Sequence, residues 1–262
     1  MKSQIKIFET GKKEGIMSRN KKFYSEDLSQ DEINKEFLET RIYAGKMHDF
    51  DGKKMFQALQ KTNSNNIDYP DGKYIVLSDK NMQKEDYWYE ELPADILIIS
   101  NKYPNIVVGN QMADCPIVIA EDRLLGVTAL AHCGASYIDR YLPVQTIQAL
   151  QQEYNSKVEN IYIYITSCAS KESYIYDCYP KWATNKEIWE NSITKINDNY
   201  HIDMLNAIVS QLRKIGITNI DYSKEDTVTS DKFYSHSAYA KDNESKKGQN
   251  FVGFYYINKE KL

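Results

Sequence analysis

Apolar residues along this chain fall mostly into short runs of strand length, with a few longer stretches at helical spacing. The densest strand-like runs are Ile96–Ser100, Ile106–Val108, Pro116–Ala120 and Leu124–Ala131, the last two joined by a tight turn at Asp122-Arg123. Val158–Thr166 alternates Ile and Tyr and predicts a further strand, as do Gln4–Phe8, Lys73–Leu77 after the Pro70-Asp71-Gly72 turn, Phe233–Ser235 and Phe251–Ile257. Helical spacing is clearest in Ile202–Ile215, where Met204, Leu205, Ile208, Val209, Leu212 and Ile215 share a face and Gly216 supplies the stop. Pro143–Tyr154 has Val144, Ile147 and Leu150 on one side, and weaker patterns predict helices around Asp31–Thr40 and near Lys53–Gln60. Glu85–Glu91 reads as a surface segment or short helix, Asn63–Asn66 as a loop, and Lys241–Gly248 as a polar loop. With strands dominating the middle, helices interspersed, and no repeat or linker, the expectation is one α+β domain over residues 1–262.

Composition narrows the function classes. At 262 residues the chain buries a sizeable core without disulfides. Its net charge is −4 and its lysines are scattered, so no footprint for nucleic acid is visible, and no apolar stretch is long enough for a membrane span. Cys115, Cys133, Cys168 and Cys178 form no CxxC pattern and no secretory signal precedes them, which makes a reduced, cytoplasmic setting the expectation.

Chemistry concentrates in two segments, Ala113-Asp114-Cys115-Pro116 and Ala131-His132-Cys133-Gly134. A thiol and an imidazole at the ends of adjacent strands are half of a zinc site or a Cys–His catalytic pair. Cys115 is otherwise a small buried hydrophobe, and a strand-end histidine is often simply hydrogen-bonded in place. Cys133 faces away from His132 if the strand continues, and Asp114 suits a structural task such as accepting backbone N–H bonds. Arg19 has the planar fork that holds an anion such as phosphate, although surface exposure is the norm for arginine. His48 and His236 are further imidazoles without informative spacing, and His201 reads as a helix-start residue.

The order of these motifs resembles the laccase-domain family, also called multicopper polyphenol oxidase or YfiH-like. Its Thr-Ala-Asp-Cys and Ala-His-Ala-Gly-Trp-Arg-Gly motifs match Met112-Ala113-Asp114-Cys115 and Ala131-His132-Cys133-Gly134-Ala135-Ser136. Ala94–Ser100 resembles its Asp-Ala-Leu-Val-Thr strand, Gly15–Arg19 its Gly-Phe-Ser-Thr-Arg entry, and Phe233–His236 its Phe-Phe-Ser-Tyr-Arg segment. The family's third ligand, a histidine in Gln-Val-His, has no counterpart in Val76–Asn81, where Asp79 or Lys80 falls by spacing. The motif's Trp-Arg becomes Ala135-Ser136, and several other motif arginines are gone.

The resemblance implies mixed β-sheets with flanking helices, a fold related to a deamidating bacterial toxin. It also implies a purine nucleoside substrate, with adenosine deamination and phosphorolysis as the reactions. Phosphate is then the co-substrate, Arg19 a substrate-binding residue, and zinc sits on Asp79, Cys115 and His132, with Cys115 and His132 catalytic. Phosphorolysis is the activity that the lost arginines affect most. Copper oxidase chemistry needs several His-rich sites, which four histidines cannot build. Two other functions remain open: a thiol hydrolase or deamidase using Cys115 and His132 without metal, and a catalytically degenerate binding protein of the same fold.

Overall fold

The computed structural model describes residues 4–61, 67–82 and 88–258. In chain order, β1 is Ile5–Glu9, α1 Gln30–His48, β2 Lys54–Ala58, β3 Tyr74–Val76, α2 Asp79–Met82, β4 Trp88–Leu92 and β5 Ile96–Ser100. Then come β6 (Val107–Met112), β7 (Ile117–Asp122), β8 (Val127–His132), α3 (Ala135–Asp139), α4 (Leu142–Tyr154) and β9 (Ile161–Ile165). The rest are β10 (Ile175–Tyr176), α5 (Lys186–Trp189), β11 (Ile193–Ile196), β12 (Asn199–Ile202), α6 (Met204–Lys214), β13 (Asn219–Tyr222), α7 (His236–Tyr239) and β14 (Asn250–Tyr256).

Two mixed sheets stack face to face. One has the order β1-β14-β6-β2-β4, the other β13-β9-β7-β8-β5-β3, and β10-β12-β11 forms a small third sheet. Phe56, Val108, Met112, Phe254, Leu97, Ile117, Ile119 and Leu130 fill the space between the two large sheets. The outer face of the six-stranded sheet is covered by α3, α4 and α6 through Ile147, Leu150, Ile208 and Leu212. The other sheet is covered by α1, where Ala44 packs with Met55, Val107 and Phe251. Each sheet is thus buried on both faces, the arrangement of helices outside and sheets inside expected of an α+β fold.

The run expected to be a helix near Lys53–Gln60 is instead β2. Met55, Phe56, Gln57 and Ala58 are all buried because β2 lies between β4 and β6 with both faces covered, so no period of two is visible. Trp88–Leu92 is likewise a strand, parallel to β2, while residues 83–87 and the Asn63–Asn66 loop lie outside the described residues. Leu124 and Leu125 are exposed in the turn after β7, where both N–H groups donate to Asp122 Oδ1 at 3.0 Å and Gly126 takes φ +66°. Phe233–Ser235 forms no strand, because Ser235 caps α7 by accepting the Ala238 N–H. His201 belongs to β12, with Nδ1 3.1 Å from the Lys171 carbonyl, and Asp203 is the residue that caps α6. The first helix runs well past Thr40 to His48, started by a capping box between Ser29 and Glu32. No helix among the described residues is long and apolar enough to cross a membrane.

Candidate functional site

Antiparallel pairing brings the two chemical segments together. In the β7–β8 ladder Ile117 stands opposite His132, and the Cys133 N–H donates to the Pro116 carbonyl at 2.8 Å, one step further. The next step sets Cys115 against Gly134, and a Cβ on Gly134 would lie 3.2 Å from Cys115 Sγ. Positions 132 and 134 share a face, so the Cys115 and His132 side chains are diagonal neighbours on one side of the sheet, their backbones about 7–8 Å apart. That side is the one facing the other sheet, since Ile117 and Leu130 belong to the inter-sheet core. Cys133 packs on the helix side, away from His132.

The backbone here is shaped by Asp114, whose φ of +82° re-aims the chain just before Cys115. Its buried carboxylate accepts from Thr227 Oγ1 at 2.7 Å and from the Ser237 N–H at 2.6 Å, and its carbonyl accepts from the Ala169 N–H at 2.9 Å. Asp114 thus ties three loops to the thiol's position. The β7–β9 register, with Val118 opposite Ile165, runs on toward that last bond and places Cys168 beside Cys115. The His132 carbonyl accepts from Gln60 Nε2 at 2.9 Å, so the segment after β2 closes over the end of β8. Neither Gln60 nor Cys168 stands out in the sequence, because both reach the site through pairings between distant segments.

Burial sets the protonation states. It pushes the Cys115 thiol up to about 12, with the Asp114 carboxylate adding to the shift, and pushes the His132 imidazole down to about 4. Both groups are neutral near pH 7. A metal-free Cys–His hydrolase needs a thiolate, and this environment opposes one. The depressed imidazole also has a stability consequence. An unfolded histidine takes up a proton near pH 6.5 and the folded one only near 4, so the unfolded state binds more protons between these values and stability falls as pH drops through the window. The expected loss attributable to His132 between pH 7 and pH 5 is about 2 kcal/mol. Guanidinium denaturation at the two pH values, repeated with His132→Asn, measures it.

Asp79 is not brought to this site. It opens α2 and is exposed, with Oδ2 3.1 Å from Lys102 Nζ and Oδ1 2.8 Å from the Tyr103 hydroxyl. Lys102 and Tyr103 follow the end of β5 that pairs with Val127, the opposite end of β8 from His132. The expected ligand set of Asp79, Cys115 and His132 is therefore not assembled. Among the described residues no three His, Cys, Asp or Glu side chains are placed to hold a metal ion. The strand end that does arrive beside His132 is that of β2, and residues 61–66 after it, Lys-Thr-Asn-Ser-Asn-Asn, include none of those four types.

Arg19 is held elsewhere, with Nη2 2.8 Å from Glu91 Oε2 and the guanidinium 4.9 Å from the Tyr89 ring centre, so its charge is already compensated. His48 contacts Glu14 at 3.3 Å, and exposed His236 lies beside Ser237 on the segment docked to Asp114. Two cations that the motifs did not single out lie on the Gln60 side of His132. Lys61 and Arg140 each approach Asp71 Oδ1 at 2.8 Å, and the Tyr137 hydroxyl between them donates to the Lys61 carbonyl at 2.7 Å. Arg140 sits one helical turn beyond Ser136 and donates to its carbonyl, on the same side of the segment. A recess of about 470 Å³ lined by Ile5, Ile119, Glu121, Arg123 and Tyr162 lies toward the far end of β7 and is not part of this site.

The two-sheet α+β sandwich is a fold with several solved members. YfiH from Bacillus licheniformis is 16% identical, with TM-score 0.63 over 86% of this chain and 82% of that one. YlmD from Geobacillus stearothermophilus is 15% identical, with TM-score 0.63 over 86% and 81% of the two chains. The Neisseria meningitidis protein NMB0706 is 13% identical, with TM-score 0.63 over 85% and 81%. No curated protein matches the chain. Residues 60–252 match the family described as multi-copper polyphenol oxidoreductase laccase, and the chain belongs to that family.

Proposed function

We propose that this protein binds purine nucleosides and acts on them at Cys115 and His132, by phosphorolysis or deamination. The observation that carries the proposal is the pair itself: a half-buried thiol and imidazole on one inner face, in a chain of this family. A neutral imidazole accepts a proton or a hydrogen bond from substrate, and a thiol donates one. Phosphorolysis also needs phosphate held by cations, and Lys61 and Arg140 supply two against the single Asp71 carboxylate. Cys115 and His132 are ligand types that zinc takes, but among the described residues they have no third His, Cys, Asp or Glu ligand beside them.

A second reading is a nucleoside-binding protein without turnover. The placement of Asp79 away from Cys115 and His132 favours it, as does the raised thiol. Elemental analysis for zinc, together with adenosine and inosine turnover with and without phosphate and nucleoside binding by calorimetry, separates the two. Release of free base or ammonia supports the first, saturable binding without turnover supports the second, and no binding overturns both.

A further inference from the structure

We propose that Asn110 is a substrate-binding residue whose side-chain amide donates a hydrogen bond to an acceptor atom of the purine ring. This rests on the nucleoside reading above. Asn110 is 3% exposed, and its Oδ1 accepts the Gln111 N–H at 2.9 Å, which settles which way the amide is turned. Its Nδ2 has no hydrogen-bond partner among the described residues. A buried donor left unmade destabilises a protein, so a polar residue in an apolar row calls for a compensating role.

Alternation along β6 puts Asn110 on the same face as Val108 and Met112, both in the inter-sheet core. Two contacts align β8 with β6 across the sandwich. Thr128 Oγ1 lies 2.7 Å from the Tyr256 hydroxyl, and the β14–β6 register with Phe254 opposite Val108 sets Tyr256 level with residue 106. Gln60 bonds the His132 carbonyl, and the β2–β6 register with Gln57 opposite Gly109 sets Gln60 level with Met112. The course of β8 from Thr128 to His132 therefore runs alongside β6 from 106 to 112. Asn110 faces the stretch between Leu130 and His132, and the small Ala58 lies level with it on β2.

The amide donor thus points across the inter-sheet core toward the end of β8 that carries His132. A neutral amide suits a neutral acceptor, and the ring nitrogens and carbonyl oxygen of a purine are such acceptors, in the plane where an asparagine amide reaches them.

The test uses wild type, Asn110→Leu, which keeps the branched shape and removes the orphan donor, and Asn110→Ala in case the larger apolar group does not fit. Thermal melting and nucleoside affinity are measured for each, with adenosine and with 1-deaza- and 7-deazaadenosine, in which one ring acceptor becomes C–H. The expected result is an unchanged or higher melting temperature for Asn110→Leu, affinity for adenosine about tenfold weaker, and loss of discrimination against one deaza analogue that wild type rejects. Equal affinity and equal discrimination in the variants, with wild type binding well, overturn the role of Asn110 alone. Wild type that binds no nucleoside overturns the nucleoside reading and this role with it.

Discussion

Cys115→Ala and His132→Ala are each expected to lower nucleoside turnover by about 10²–10⁴-fold, the range typical of removing a group that moves a proton in the reaction. Both side chains are half-buried at the end of the β7–β8 hairpin and carry no backbone hydrogen bond of the ladder themselves. Cys115 packs against Gly134, where the approach is close enough that a Cβ would meet Sγ at 3.2 Å. Truncating either therefore leaves the strands paired. A melting temperature within a few degrees of wild type, together with collapsed turnover, is the expected pattern, read by thermal denaturation and by a product assay on the same samples. Wild-type-like turnover in either variant removes that residue from the chemistry. Alanine at 115 also removes a raised thiol, so alkylation confined to Cys178, the exposed cysteine, is expected in both proteins under native conditions.

The largest stability effect is expected at Asp139, at the end of α3. Its buried carboxylate accepts four hydrogen bonds, from the Thr184 N–H at 3.0 Å, Thr184 Oγ1 at 2.5 Å, the Asn185 N–H at 2.9 Å and Trp189 Nε1 at 2.7 Å. Asp139→Ala leaves those donors without an acceptor, and Trp189, 1% exposed, has no water to turn to. The expected cost is about 4 kcal/mol, since each orphaned buried donor costs about 1–3 kcal/mol and the four share one site. For a chain of this size that lowers the melting temperature by about 10 °C. Asp139→Asn keeps one acceptor oxygen and is expected to fall between the two. Urea denaturation followed by tryptophan fluorescence checks both the free energy and the loosening around Trp189, and a shift under 1 kcal/mol for the alanine variant would contradict the assignment.

These two predictions draw on different kinds of information. The Cys115–His132 pair is readable from sequence because a hairpin is local: two apolar runs, a turn containing Asp122 and Gly126, and a register that the turn transmits to both strand ends. The Asp139 network is not readable, because its partners lie 45 to 50 residues away and reach it only once the 184–189 segment docks on α3. The same distinction explains Asp79. Spacing places it where the family has a ligand, but β3 runs parallel to β5 and carries α2 toward the end of the sheet away from His132. A match by spacing carries no information about which end of a sheet a loop returns to.

The sequence by itself determined strands β5, β7 and β8 as continuous apolar runs, β9 as an alternation of Ile and Tyr, and helices α4 and α6, whose periodicity is a direct print of one buried face. It also determined that Cys115 and His132 lie at the ends of two paired strands, and the family to which the motifs belong. Only the tertiary structure decided that Lys54–Ala58 is a strand, since burial on both faces erases the alternation that marks one. Only it decided that Asp79 is held away from Cys115 and His132 and that Asn110 faces β8 with an amide donor that no described residue accepts. Each of these depends on which distant strands pair and in what register, a property of the assembled sheets rather than of any single stretch of chain.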